Sequence, residues 1–389
     1  MRTALLLPAW LLAAPLLGQG QPALTLGHRE LLSSRLLNEE RPLLIYVPHP
    51  YDVKPGSYPA LYLLDGESHF LHVAGIVAFM VGQGLMPPVM LVGVVNTDRS
   101  RDLTPTTTAD TAEFPTAGGA QKFLGFFREE LLPWVEERYH PAPFRVLIGH
   151  SFGGLFALEA LETSPDLFQG YVVISPSLWW NRMAPVSRAR AALATHPDLK
   201  AWVYLTTGNE GGRMLAGAEV VADAFNDAGL PGLRWRFRPL PEESHGSIPH
   251  RAIYDALEFI FTPYQRSLDA QHADFAAGLA GLDRRSQELS EIYGYPIPTT
   301  EEALDELGEA QLSLGRAEQA LVTLRENVRR FPGSARASNR LGDACVATGK
   351  LAEAAARYRN ALQLDAGSAH PLPFVHHKLE EVERRLAAE

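Results

Sequence analysis

The chain has 389 residues, long for one domain and comfortable for two. Hydrophobic residues make up 46% and charged residues 21%, the balance of a globular protein with an ample core, so composition gives no argument for disorder. A formal charge of −10 argues against nucleic acid as the main partner, because phosphate binding needs concentrated Lys and Arg, and the single Cys345 excludes an internal disulfide, a thiol redox pair and a multi-cysteine metal site.

The first twenty residues, MRTALLLPAWLLAAPLLGQG, put Arg2 before an apolar stretch from Ala4 to Gly18 and then offer Gly18 and Gly20 at a cleavage spacing. This predicts a signal peptide over residues 1–20. The alternative, an uncleaved anchor, suffers because the run is shorter than the roughly 20 residues that a spanning helix needs. No later segment is long and apolar enough to span, and no cysteine lies near the cleavage site to carry a lipid. The expected state is therefore exported, periplasmic or secreted, with no stable membrane span after cleavage.

Residues 24–262 alternate short apolar runs with longer helical patterns. Strands are expected at 31–37, 43–47, 60–65, 89–95, 144–149, 171–175, 202–207 and 233–240, and helices near 68–82, 120–138, 151–163, 182–194, 213–228 and 249–262. Eight strands interleaved with helices predict an α/β domain whose later strands form a parallel sheet covered on both faces. One connection, NTDRSRDLTPTTTADTAEFPTAGG (96–119), carries no hydrophobic period. It leaves the carboxyl end of a strand, where open α/β sheets bind ligands, and so long a loop in a compact domain is usually functional.

Gly149, His150, Ser151, Phe152 and Gly153 satisfy G-x-S-x-G between a buried strand and a helix. The serine of such a motif sits on a sharp strained turn, so the flanking positions must lack bulky side chains. The competing reading is a serine that merely caps the helix. A serine hydroxyl is a poor nucleophile until a base takes its proton, and the base must be held in one tautomer by a third group. In the order Ser, then acid, then His, the candidate bases are His196, His245 and His250. His196 precedes a strand, at the wrong edge of the sheet. His245 lies in PEESHGS, directly after the last strand, and is preferred over His250 at the start of the following helix. Glu210, in the glycine-flanked loop GNEGG after WVYLTT, is the preferred acid, whereas Asp223 and Asp227 have the spacing of solvated helix positions. The two oxyanion donors are expected to be the N–H of Phe152 and that of Gly66 or Glu67 in LLDGES.

Trp179 and Trp180 follow the 171–175 strand and suit an aromatic wall for an acyl or aryl group, with one of the pair expected in the core. Arg99 and Arg101 are candidates for binding an anionic substrate, although pairing of Arg99, Arg101 and Asp102 around Glu67 competes. His69, His72, His376 and His377 show no metal-ligand pattern and read as solvated helix positions. No metal and no cofactor are implied.

Residues 263–298 read as a helical connector, ending in the linker GYPIP, whose prolines cannot continue a helix. Beyond it, LGEAQLSLGRAEQAL (307–321) aligns with LGDACVATGKLAEAA (341–355) at a spacing of 34 residues, as paired helices of the tetratricopeptide type do. Residues 299–389 are thus expected to form a small all-α repeat domain, with 375–388 as a capping helix. Such a domain would offer a surface to a protein partner.

The ordered series RLLNEERPLLIYVPHPYD, YPALYLLDGESHF, VVNTDRSRDLTPT, GHSFGG, SPSLWWN, GNE and SHGS resembles the putative esterase family over roughly residues 24–262. That family includes enterochelin esterases, S-formylglutathione hydrolase, and feruloyl or acetylxylan esterases. The resemblance implies an α/β-hydrolase fold with a mostly parallel sheet and cleavage of small-molecule carboxylic esters through an acyl-enzyme on Ser151 with His245. SPSLWWN is most similar to the siderophore-esterase branch. The family's acid position varies, so Glu210 rests on its own loop. Two other readings compete with an exported serine esterase: an acyltransferase of the same fold, and an interaction protein whose hydrolase body is vestigial.

Overall fold

The computed structural model describes residues 25–48, 58–107, 112–265, 276–366 and 371–388. The expected signal peptide lies outside the described residues. The strands are β1 (His28–Ser34), β2 (Glu39–Tyr46), β3 (Ala60–Leu63), β4 (Met90–Val94), β5 (Arg145–His150), β6 (Gly170–Ile174), β7 (Ala201–Thr206) and β8 (Leu233–Phe237). They form one sheet in the order β1-β2-β4-β3-β5-β6-β7-β8. β1 and β2 pair antiparallel, as do β2 and β4, and every later pairing is parallel.

Strands β3, β4, β6 and β7 are buried along their whole length, as strands with helices on both faces must be. Alternation of side chains divides the core in two. Tyr62 and Leu147 face α3 (Ala120–Phe126), α5 (Phe152–Thr163), α6 (Trp180–Thr195) and α7 (Gly212–Ala228). Leu61, Leu63 and Ile148 face α1 (Gly66–Gly82) and α8 (Ile248–Phe261).

Four boundaries differ from those expected, each for a local reason. β1 starts at His28 and stops at Ser34, because the Glu130 carboxylate accepts from the N–H groups of Arg35 (3.0 Å) and Leu36 (3.1 Å) and Asn38 turns at φ 58°. The run 120–138 is broken by a π-helical stretch, Phe127–Leu131, before α4 (Leu132–Tyr139). Within α6, Asn181, Arg182 and Met183 all have positive φ, so the regular helix starts after them. The long loop contains a short helix, α2 (Arg99–Leu103), capped by the Asp98 carboxylate, which accepts from Arg101 N–H at 3.0 Å.

The segment after α8 is more than a tether. α9 (Leu279–Tyr293) places Tyr293, only 4% exposed, edge-on to Phe144 at 5.1 Å, and the Tyr293 hydroxyl donates to the Ile260 carbonyl at 3.0 Å. Leu289 and Tyr295 join the same apolar cluster. Next come α10 (Glu301–Ser313) with α11 (Ala317–Arg330), α12 (Ala335–Ala347) with α13 (Leu351–Leu364), and α14 (Val375–Ala388). Both pairs make the same close approach: a Cβ on Gly308 would lie 2.6 Å from Leu324 Cγ, and one on Gly342 would lie 2.4 Å from Tyr358 Cε1. At the junction, Arg330 grips the Asp283 carboxylate of α9 at 2.8 and 2.9 Å.

Candidate active site

Ser151 joins β5 to α5 with φ 60° and ψ −116°, a strained conformation for a residue other than glycine. The steric demand falls hardest on Gly149, where a Cβ would lie 2.1 Å from the Gly153 carbonyl oxygen. A Cβ on Gly154 would lie 2.7 Å from Ile174 O, but one on Gly153 would approach only to 3.3 Å of the Asp65 carboxylate. The turn lifts Ser151 to the carboxyl edge of the sheet.

The loops after β7 and β8 reach the same edge. His245 Nδ1–H donates to Glu210 Oε2 at 2.8 Å, and the other Glu210 oxygen accepts from Gly208 N–H at 3.2 Å and from the Ser175 hydroxyl. Ser175 is fully buried with φ 40°, a second strained residue spent on holding this carboxylate. Burial pushes the Glu210 carboxyl up, but its hydrogen bonds with His245 and Ser175 outweigh that and hold it below its ordinary value. Ser151 Oγ, for its part, shares a 3.4 Å hydrogen bond with the buried Ser177 hydroxyl. No hydrogen bond joins it to His245 among the described residues.

Two helix N-termini meet beside Ser151. Phe152 opens α5, and Gly66 and Glu67 open α1, so their N–H groups have no carbonyl one turn behind them. Gly66 is pressed on β4: a Cβ there would lie 2.8 Å from the Gly93 carbonyl carbon. The charged residues around this corner differ from the pairing expected at Glu67. Arg99 grips Asp65 with two nitrogens (2.6 and 3.0 Å) and reaches the His150 carbonyl at 3.3 Å, while Glu67 accepts from the backbone N–H and the amide of Asn96. Arg101 pairs with Glu39 and Asp102, and only Arg99, 36% exposed, borders the serine's strand directly.

The two tryptophans diverge. Trp180 is buried and its Nε1–H donates to Pro105 O at 3.0 Å, whereas Trp179 is 42% exposed. Phe114 of the long loop packs against Trp179, Trp180 and Phe152 with ring centroids 5.2–6.2 Å apart. Sequence reading passed over Phe114, which stands in a segment without period, and also Ser175 and Ser177, whose only signal is the pair of hydroxyls flanking Pro176.

His69 and His72 are not solvated helix positions. Both are half-buried, a 3.0 Å hydrogen bond joins them, and His69 stands edge-on to His150 with ring centroids 5.8 Å apart. His150 lies 4.5 Å from His245, centroid to centroid, and His72 lies 5.3 Å from His250. Burial, aided by the neighbouring imidazoles, pushes His72 and His150 down to about 4. The i, i+3 spacing that puts His69 and His72 on one helix face was the available signal. His376 and His377 are exposed on α14.

A sheet of this order, with a strained serine after β5 and converging loops after β7 and β8, defines the class: an α/β-hydrolase that cleaves carboxylic esters. Residues 33–226 match the family described as "Putative esterase". The ferri-bacillibactin esterase of Bacillus subtilis is 31% identical over 261 residues, covering 60% of this chain and 89% of that one. The siderophore enterobactin esterase of Emericella nidulans is 35% identical over 181 residues, and the match spans 38% of this chain and 58% of the relative. Among solved structures, an IroE-like serine hydrolase from Shewanella oneidensis aligns with a TM-score of 0.67 at 28% identity, over 78% of this chain and 99% of that one. The chain belongs to the putative esterase family.

Proposed function

We propose that the protein hydrolyses siderophore-type esters through a triad of Ser151, His245 and Glu210. Ser151 Oγ turns from Ser177 toward His245 and attacks the ester carbonyl carbon, while His245 Nε2 takes its proton. The N–H of Phe152 and that of Gly66 or Glu67 stabilise the oxyanion of the tetrahedral intermediate. Collapse releases the alcohol, which leaves with the proton from His245, and water then repeats the steps to free the acid and the serine. The observation that carries this reading is the 2.8 Å hydrogen bond between His245 Nδ1 and an anchored Glu210 carboxylate, at the edge where Ser151 is held in a strained turn.

The substrate class rests on two supports. The relatives are named for siderophore esters, and Trp179 and Phe114 offer an aromatic wall beside the serine with Arg99 at its border. In this reading Trp180 backs the wall and Arg101 braces the loop that carries Arg99. Residues 1–20 serve as an export leader, residues 24–262 form the catalytic body, 263–298 connect it onward, and 299–389 are repeats of the tetratricopeptide type that recruit a protein partner; the 34-residue recurrence of a glycine packed under a larger side chain supports the repeat reading.

The test is turnover of a short-chain p-nitrophenyl ester and of a catecholate triester, with Ser151→Ala as control. Wild type is expected to cleave both, and the variant to lose at least about 10³-fold in kcat. Equal rates for the two proteins would remove the assignment of Ser151, and an inert triester beside a cleaved simple ester would remove the substrate class. Adding acceptor alcohols and identifying the products separates hydrolysis from acyl transfer.

A further inference from the structure

The row of imidazoles beside the site takes no part in the steps above. His245 is 46% exposed, on a loop outside any helix or strand. Its bond to Glu210 fixes one ring nitrogen but leaves the ring free to swing about that bond, which would carry Nε2 away from the serine. The obstacle on one face of the ring is His150, at 4.5 Å between centroids and a tilt of 44°.

We propose that His150, the residue before the nucleophile, is a positioning residue for His245: its ring fixes the plane in which the base presents Nε2 to Ser151. The proposal rests on the assignment of His245 as the base. His150 can do this because its backbone is anchored and its ring is packed against its neighbours. It ends β5 in register with Ile174, its carbonyl accepts from Arg99, and its ring is backed edge-on by His69, which is tied in turn to His72. The row closes on His250 at the start of α8, the helix that follows the His245 loop.

The chemistry of the ring suits the role. His245 becomes a cation during each turnover, so its neighbour must carry no charge. Burial and the facing imidazoles of His245 and His69 hold His150 down to about 4; the other charged groups in its field, Asp65 and Arg99, act in opposite directions and are paired with each other. The ring's Nε2 is buried and has no hydrogen-bond partner among the described residues, so what holds the ring is packing against His69 and His245.

The experiment compares His150→Ala and His150→Phe in the full chain, by kcat and KM on a short-chain p-nitrophenyl ester, with His245→Ala as reference and melting temperatures as the check on folding. His150→Ala is expected to lose about 10- to 100-fold in kcat, the scale of a misplaced catalytic group, with KM within about twofold. His150→Phe, which keeps a ring of similar thickness, is expected to recover to within about threefold of wild type and to keep the wild-type pH profile above pH ~5, where His150 is neutral in the native protein. If His150→Ala does not fold, His150→Asn, polar but without a six- or five-membered ring, takes its place with the same expected loss. Wild-type kcat in the ringless variant overturns the proposal, as does a folded His150→Phe as slow as His150→Ala. Retained activity in His245→Ala would instead overturn the assignment of the base, and the two failures are thereby distinguished.

Discussion

Glu210 is enclosed behind His245, and enclosure alone would strengthen its hold on a proton. Hydrogen bonds from His245, Ser175 and Gly208 reverse that, so the group is a carboxylate throughout the neutral range. In the proposed triad its charge would stabilise an imidazolium on His245. Glu210→Gln keeps the shape and one acceptor but removes the charge, and kcat is expected to fall by roughly 10³-fold with little change in KM, as measured by steady-state turnover. Because the folded pKa lies below the ordinary value, the ion's contribution to stability is present above that value and is lost as pH falls through the folded one. Acid melts should therefore show wild type losing its advantage over Glu210→Gln only below about pH 4.5. At this scale the chain reads well wherever one residue's demand is local. Gly149 must be a glycine for a reason that lies four residues away, and the loops after β5, β7 and β8 share an edge whatever the details of packing. His69 and His150 read poorly, because their contact joins segments some eighty residues apart and no local pattern announces it.

Arg188 joins helices α5 and α6 beside a buried carboxyl whose charge the fold suppresses. Arg188 of α6 pairs with Glu159 of α5 and comes within 3.2 Å of Glu162, yet neither Glu162 oxygen has a hydrogen-bond partner. Burial pushes the Glu162 carboxyl up to about 8, against the pull of Arg188 and with the help of Glu159. A folded pKa raised above the unfolded one means stability that is complete below about pH 4.5 and is lost as pH rises through about 8. Glu162→Gln cannot titrate, so its melting temperature relative to wild type is expected to rise steadily between pH 5 and 8.5. A constant difference across that range would show that Glu162 is ionised in the native protein. The helix matters to the site because its first turn carries Trp180, next to the exposed Trp179. That turn was also the part of α6 least legible in the sequence: three consecutive residues with positive φ leave no composition signal when none of them is glycine. β1 and β2 blurred for a different reason. β1 lies at the sheet edge with β2 beside it, Arg29 and Glu40 are exposed while Arg41 is buried against Glu39 and Asp102, and so an apolar run marks only part of each strand.

Across the whole molecule, the alternation of strands and helices was legible because it repeats many times, and the two helix pairs of the C-terminal region because fifteen residues align at one 34-residue offset. The attachment between the two regions was not. GYPIP has the composition of a linker, yet Tyr293 and Tyr295 on either side of Gly294 are both buried against the esterase core. Two large aromatic rings in a proline-flanked segment follow neither a helical nor a strand period, so composition alone misplaces them. Their burial fixes where the chain can be cut. Removing everything after residue 262 strips Leu289, Tyr293 and Tyr295 from Phe144, Phe261 and Trp202, at about 1.5–3 kcal/mol for each lost side chain. The sum is comparable with the 5–15 kcal/mol that usually separates a folded domain from its unfolded state. Ending the chain at residue 298 keeps all three and gives up only the α10–α14 region, including the Arg330 pair with Asp283. The shorter cut is therefore expected to yield an unfolded or aggregating product by circular dichroism and gel filtration. The cut at 298 is expected to melt cooperatively and to keep ester hydrolysis within about twofold of the full chain, since among the described residues the partners shown for Ser151, His245 and Glu210 all precede Ile297. A soluble, active product from the cut at 262 would show that α9 covers the core without stabilising it.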